Sequence, residues 1–284
     1  MDLLGTFWSY INNSYLSQPW RPLPNKEDSL NFVRNYQSQN KEVKNVRILV
    51  HGQVGAGKSS FINSVDSVLQ QQITGRASTD ALGGDSFTLK YTTYKFHKDP
   101  ESFYSFTFNY VMGYEMKINR GIHVEDVKSV LRGHVTEGYQ FKPGHPLTEK
   151  DQGYNSSPNL NDRVHVLVSV IAADSVSIMS DDVKRKMRDV RLAASEIGIP
   201  QMVILTRIDE ACSDTQGDIK NAYRSKYLKE QVDKVHVWLG IPLNCIFLVK
   251  NYDSSTRMSE DMDTQILAAL RHMITFGEDY LSNL

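Results

Sequence analysis

The chain has 284 residues, 40% apolar and 23% charged, with a formal net charge of −1. Such a length and composition suit a globular fold with a sizeable core, and the near-zero charge argues against a broad electrostatic footprint for nucleic acid or an anionic membrane. No apolar run approaches the roughly 18 residues a membrane span needs, no secretory leader or lipid-anchor signal is visible, and the two cysteines, Cys212 and Cys245, lack metal-ligand or disulfide-framework spacing. The expectation is a cytoplasmic protein with reduced thiols, no membrane span and no nucleic-acid partner.

Taken in chain order, residues 1–45 read as an arm and helix packed on the body. Phe7, Trp8, Tyr10 and Trp20 are its packing residues, and the helix falls within 26–40. Residues 46–52, VRILVHG, form a short β-branched run ending in glycine, which reads as a buried strand. A helix is expected over 60–72, with Phe61, Val65, Val68 and Leu69 on one face. Strands are expected over 87–97 and 102–111, separated by Asp99-Pro100. A helix over 122–133 precedes a polar loop over 140–160. From there strands at 164–172, 202–205 and 245–249 alternate with helices at 181–197, 219–239 and 261–276. Near-continuous apolar strands alternating with helices define an α/β class: a mostly parallel sheet with helices on both faces. One domain is expected over 46–284.

Residues 52–59 read GQVGAGKS, a full G-x-x-x-x-G-K-[ST] match between a strand and a helix. Glycines let the loop backbone bring N–H groups onto phosphate oxygens, and Lys58 adds a point charge. The helix that follows aims its positive end at the same anion. The expected phosphate contacts are Gly52, Gln53, Val54, Gly55, Ala56, Gly57, Lys58, Ser59 and Ser60. The Ser59 hydroxyl suits Mg2+, which prefers oxygen and takes few protein ligands. These features predict a P-loop NTPase fold of G-domain type.

The strand at 202–205 delivers Thr206, Arg207, Ile208 and Asp209, where G-type proteins carry N/T-K-x-D. A carboxylate there accepts from guanine N1–H and the exocyclic amine, which adenine cannot satisfy. Arg207 replaces the lysine and can stack on the base. After the next strand come Lys250, Asn251 and Tyr252; Asn251 is placed to bond the base carbonyl and Tyr252 to cover the ring. The expected ligand is GTP or GDP.

In order along the chain, GQVGAGKSSFINSV, GIHVEDV, TRID, LGIP and VKNY resemble the nucleotide-binding domain of the interferon-induced protein 44 family, from about Val46 onward. The resemblance implies a cytoplasmic, interferon-responsive protein of antiviral or innate immune defence. It also implies a short form, since longer relatives carry a further domain ahead of this one.

The D-x-x-G element of G-type proteins has its counterpart at Tyr110-Val111-Met112-Gly113. Gly113 is the candidate γ-phosphate sensor, but tyrosine stands where the metal-site aspartate belongs, and Tyr114 where a water-orienting glutamine would sit. Asn109 and Glu115 are the nearby substitutes, and Thr88, with Thr79 second, is the candidate switch hydroxyl for Mg2+. The expectation is nucleotide binding with weakly held Mg2+ and slow or absent hydrolysis. The alternative is an active Mg2+-dependent GTPase, completed by a nucleotide-dependent homodimer; an unidentified protein partner is the other expected binder. His51 and His165 read as strand histidines rather than chemistry.

Overall fold

The computed structural model describes residues 15–77, 90–115, 121–142, 144–253 and 257–284. Its described elements are α1 (Lys26–Asn35), β1 (Val46–Gly52), α2 (Lys58–Gln70), β2 (Thr92–His97), β3 (Phe103–Tyr110), α3 (Val124–Leu131), β4 (Val166–Ala172), α4 (Asp181–Glu196), β5 (Gln201–Thr206), α5 (Lys226–Leu239), β6 (Ile246–Leu248) and α6 (Glu260–Ser282), with short helical turns between some of them.

The strands form one sheet in the order β2-β3-β1-β4-β5-β6. Neighbours are parallel except for β2, which runs antiparallel to β3. Because β-strand side chains alternate between faces, the buried strands feed two cores. Ile48, Val50, Val166, Val168, Met202 and Ile204 join the core under α2 and α6. Leu49, Leu167, Ile171, Val203 and Leu205 join the core under α3, α4 and α5. A sheet covered on both faces needs apolar residues on both, which is why β1, β4 and β5 read as continuous apolar runs. Gly277 lets α6 approach most closely: a Cβ there would lie 2.4 Å from Val46 Cγ1.

Both edges of the sheet are covered by side chains, which blocks pairing with another strand. On β2, Thr93 N–H donates to Glu137 (2.9 Å), while the Lys95 and His97 carbonyls accept from Arg76 (3.0 Å) and Gln70 (2.8 Å). On β6, Arg21 donates to the Ile246 and Leu243 carbonyls and lies 4.9 Å over the Phe247 ring. The segment carrying Arg21 is itself docked: Leu16 and Trp20 N–H donate to the Arg224 and Tyr223 carbonyls (2.8 and 2.9 Å), and Trp20 packs on Tyr223. Phe7, Trp8 and Tyr10 lie outside the described residues.

Two helices differ from the sequence pattern. The expected helix over 219–239 breaks at Ser225, whose hydroxyl accepts from Leu228 N–H (3.2 Å) and caps α5; the residues before it form a 3-10 turn. The last helix runs past Gly277 to Ser282, because the glycine seats it on the sheet rather than ending it.

Candidate nucleotide site

β1 delivers the chain to a turn that only glycine fits. At Gly52, φ is +148° and a Cβ would lie 2.2 Å from the Val170 carbonyl oxygen of the neighbouring strand. The loop closes at Gly57, whose left-handed conformation (φ 83°) starts α2 without a side-chain cap. An uncapped start of this kind presents first-turn N–H groups to an anion. Lys58 folds over the loop, 2.9 Å from the Gln53 carbonyl, and its ammonium sits 5.9 Å from the centre of the Tyr110 ring.

Next to this loop is a cavity of about 350 Å³. Gly55, Gly57, Lys58, Ser59 and Ser60 line one end, and Tyr110 lines it beside them. Arg207, Asp209, Asn251 and Tyr252 line the other end, with Glu210 and Asp253. Gly52, Gln53, Val54 and Ala56 do not line it; they build the loop behind it. Val54 N–H donates to the Tyr114 carbonyl (3.1 Å), Tyr114 N–H donates to that of Gly52 (3.0 Å), and Ala56 N–H to that of Gln53 (3.2 Å). Gly113 abuts the loop, since a Cβ on it would fall 2.6 Å from Val54 N and 2.7 Å from Lys58 Nζ.

The two ends of the cavity are bonded to each other. Thr206 Oγ1 donates to the Ala56 carbonyl (2.7 Å) and Asn251 Nδ2 to that of Gly57 (3.1 Å). Thr206 thus acts on the loop rather than lining the cavity. Arg207 adopts a left-handed conformation (φ 55°, ψ 35°), and its guanidinium is drawn to Glu210 (2.5 Å) and Asp174 (3.8 Å). These carboxylates hold its pKa above the ordinary arginine value, the hydrogen bond to Glu210 first. Asp209 pairs with Lys250 at 3.1 Å. Tyr252 is buried: its N–H donates to Ser64 Oγ (2.8 Å) and its hydroxyl to Asp263 (2.7 Å). Spacing along the chain gives no sign of the Lys250, Ser64 and Asp263 contacts, because each partner comes from another element.

For a metal, the described residues offer little. Ser59 lines the cavity, but no group of three or more His, Cys, Asp or Glu among them could hold an ion. Asn109 is buried with its amide donating to Thr93 (2.8 Å), and neither it nor Glu115 lines the cavity. Thr88 and Thr79 lie outside the described residues. His51 is wholly buried, bonded to Tyr114 Oη (3.0 Å) and Ser169 Oγ (2.7 Å). Burial, with help from the Lys58 charge, pushes its pKa down to about 3. It is a neutral core histidine, and the Tyr114 hydroxyl it holds is turned inward rather than toward water.

A mostly parallel sheet with a G-x-x-x-x-G-K-S loop between β1 and α2, and T-x-x-D at the end of β5, defines a P-loop fold of G-domain type. No family model matches the sequence. Curated relatives include human interferon-induced protein 44-like, 32% identical over 89% of this chain and 56% of its own length, and mouse interferon-induced protein 44, 31% identical over 90% of this chain and 60% of its own length. The aligned nine-tenths of the chain is homologous to these interferon-induced protein 44 relatives. It spans somewhat over half the length of those relatives. Similar solved structures include Toc33 from Arabidopsis thaliana in complex with GDP and Mg2+ (TM-score 0.45, 15% identity, 91% of this chain and 92% of that one) and a probable GTP-binding protein engB (TM-score 0.44, 11% identity, 84% and 100%). The fold class stands on the strand order and the loop, not on these two likenesses. Among the described residues no helix is long and apolar enough to cross a membrane.

Proposed function

We propose that the chain is a guanine-nucleotide-binding protein that holds GTP or GDP in the cavity beside Gly57 and hydrolyses GTP slowly or not at all. One observation carries the reading: the cavity joins a phosphate loop to a carboxylate, Asp209, and the two ends are fastened by Thr206 to Ala56 and Asn251 to Gly57. The phosphates lie against Gly55, Gly57, Lys58, Ser59 and Ser60, and the base faces Asp209 and Asn251. Ser59 would hold Mg2+, which supplies charge neutralisation on the phosphates when bound. Slow turnover is supported by Tyr110 on the cavity wall, which brings no carboxylate to the metal, and by Tyr114, buried against His51. The described residues ahead of position 46, 15–45, are an arm and helix on a nucleotide domain that runs from 46 to 284. The protein acts in the cytoplasm, in interferon-linked innate antiviral defence, with nucleotide ordering its loops for a protein partner or a second copy.

An active GTPase is the second reading, favoured by Gly113, which abuts Val54 and Lys58 where a γ-phosphate sensor would. Calorimetric titration with GTP, GDP and ATP, with and without Mg2+, followed by phosphate release over hours, separates the two. Guanine-selective binding with negligible release supports the first reading. Steady release supports the second, and equal affinity for ATP would refute guanine recognition.

A further inference from the structure

The geometry points to Asp263 and Lys26 as positioning residues for the base end of the cavity, so that α1, ahead of the phosphate loop, forms part of the nucleotide site. This rests on the guanine-binding reading and extends it. Tyr252 lines the cavity yet cannot swing freely, because its hydroxyl donates to Asp263 (2.7 Å) and accepts from Ser259 N–H (2.8 Å). Its N–H donates to Ser64, whose own hydroxyl is bonded to the Ser60 carbonyl in the first turn of α2 (2.7 Å). The residue before it, Asn251, bonds Gly57. The base-end loop is thus fixed to the phosphate loop on one side and to Asp263 on the other.

Asp263 is nearly buried, with its side chain 7% exposed, and its second oxygen takes Lys26 at 2.9 Å. Burying a carboxylate is costly unless it is paired and hydrogen-bonded, and Lys26 supplies the opposite charge. Lys26 is the first residue of α1. A cation there opposes the helix dipole, so helix stability does not account for it, whereas the pair with Asp263 does. The same pairing raises the Lys26 pKa, through its hydrogen bond to Asp263 above all. Without Lys26 the carboxylate keeps Tyr252 but loses its counter-charge, and the loop bearing Asn251 and Tyr252 gains freedom to shift away from the base.

The test compares wild type, Lys26→Met and Lys26→Arg by calorimetric titration with GDP and with inorganic tripolyphosphate, which engages only the phosphate end. Lys26→Met should weaken GDP about fivefold, the upper scale of a partly exposed ion pair, leave tripolyphosphate unchanged, and be rescued by Lys26→Arg. Tyr252→Phe, which keeps the ring and removes the hydroxyl, should reproduce the selective loss. Unchanged GDP affinity in both Lys26→Met and Tyr252→Phe, or an equal loss for tripolyphosphate, overturns the positioning role while leaving guanine binding intact. Wild type that binds tripolyphosphate but prefers no guanine overturns both.

Discussion

Replacing Asp209 by asparagine changes the hydrogen-bonding pattern at the base end while keeping the size of the side chain. The carboxylate lines the cavity and is 22% exposed, paired with Lys250 at 3.1 Å. In the proposed complex its two oxygens accept from guanine N1–H and the exocyclic amine. Asparagine keeps one acceptor and puts an NH2 group against the guanine amine, so one charge-assisted bond is lost and two donors face each other. A hydrogen bond to a charged group contributes about 1.5–3 kcal/mol, and leaving a donor unmet costs about 1–3 kcal/mol more. A loss of about 3 kcal/mol corresponds to roughly a 150-fold weaker GDP. Xanthine carries a carbonyl where guanine has the amine, so the same variant should gain affinity for xanthosine diphosphate. Competition titration with GDP, ADP and xanthosine diphosphate reads both changes. Undiminished GDP affinity with no gain for xanthine would show that another group reads the base.

Lys58→Ala should weaken GTP and GDP together by about a hundredfold, the scale of a lost charge-assisted phosphate contact; equal affinity by the same titration would remove the phosphate loop from the site. Acid should destabilise the fold through His51 and His165, whose folded pKa values are pushed down by burial to about 3 and about 4. Both stay neutral when folded and take up a proton near pH 6.5 when unfolded. Stability is therefore full above about pH 6.5 and falls by about 1.4 kcal/mol per histidine per pH unit as pH drops towards the folded values. Urea unfolding at pH 7 and pH 5 measures it, and His51→Gln should reduce the slope. Gly277→Ala should destabilise by about 1–3 kcal/mol through overpacking, since its Cβ would meet Val46 at 2.4 Å; an unchanged melting temperature would contradict the close approach of α6.

Local structure set by consecutive residues was legible in the sequence. The strand–loop–helix from Val46 to Gln70 was readable because eight residues carry the loop geometry and flanking periodicity carries the elements. The parallel sheet followed from β1, β4 and β5, apolar on both faces because both are covered. Where α6 ends was not legible: Gly277 resembles a helix stop, and only its seat on Val46 shows it as a packing position. Nor was the break at Ser225, where the carbonyls of Tyr223 and Arg224 bond the N-terminal segment instead of continuing a helix.

By itself the sequence determined the fold class, the phosphate loop and the aspartate at the end of β5, since each depends on residues adjacent in the chain. Only the tertiary structure decided which side chains hold those parts together: Thr206 on Ala56, Asn251 on Gly57, Lys250 on Asp209, and Lys26 through Asp263 on Tyr252. These partners stand from 11 to more than 200 residues apart along the chain. Their bonds depend on where strands and helices come to rest in space, and no local periodicity records that.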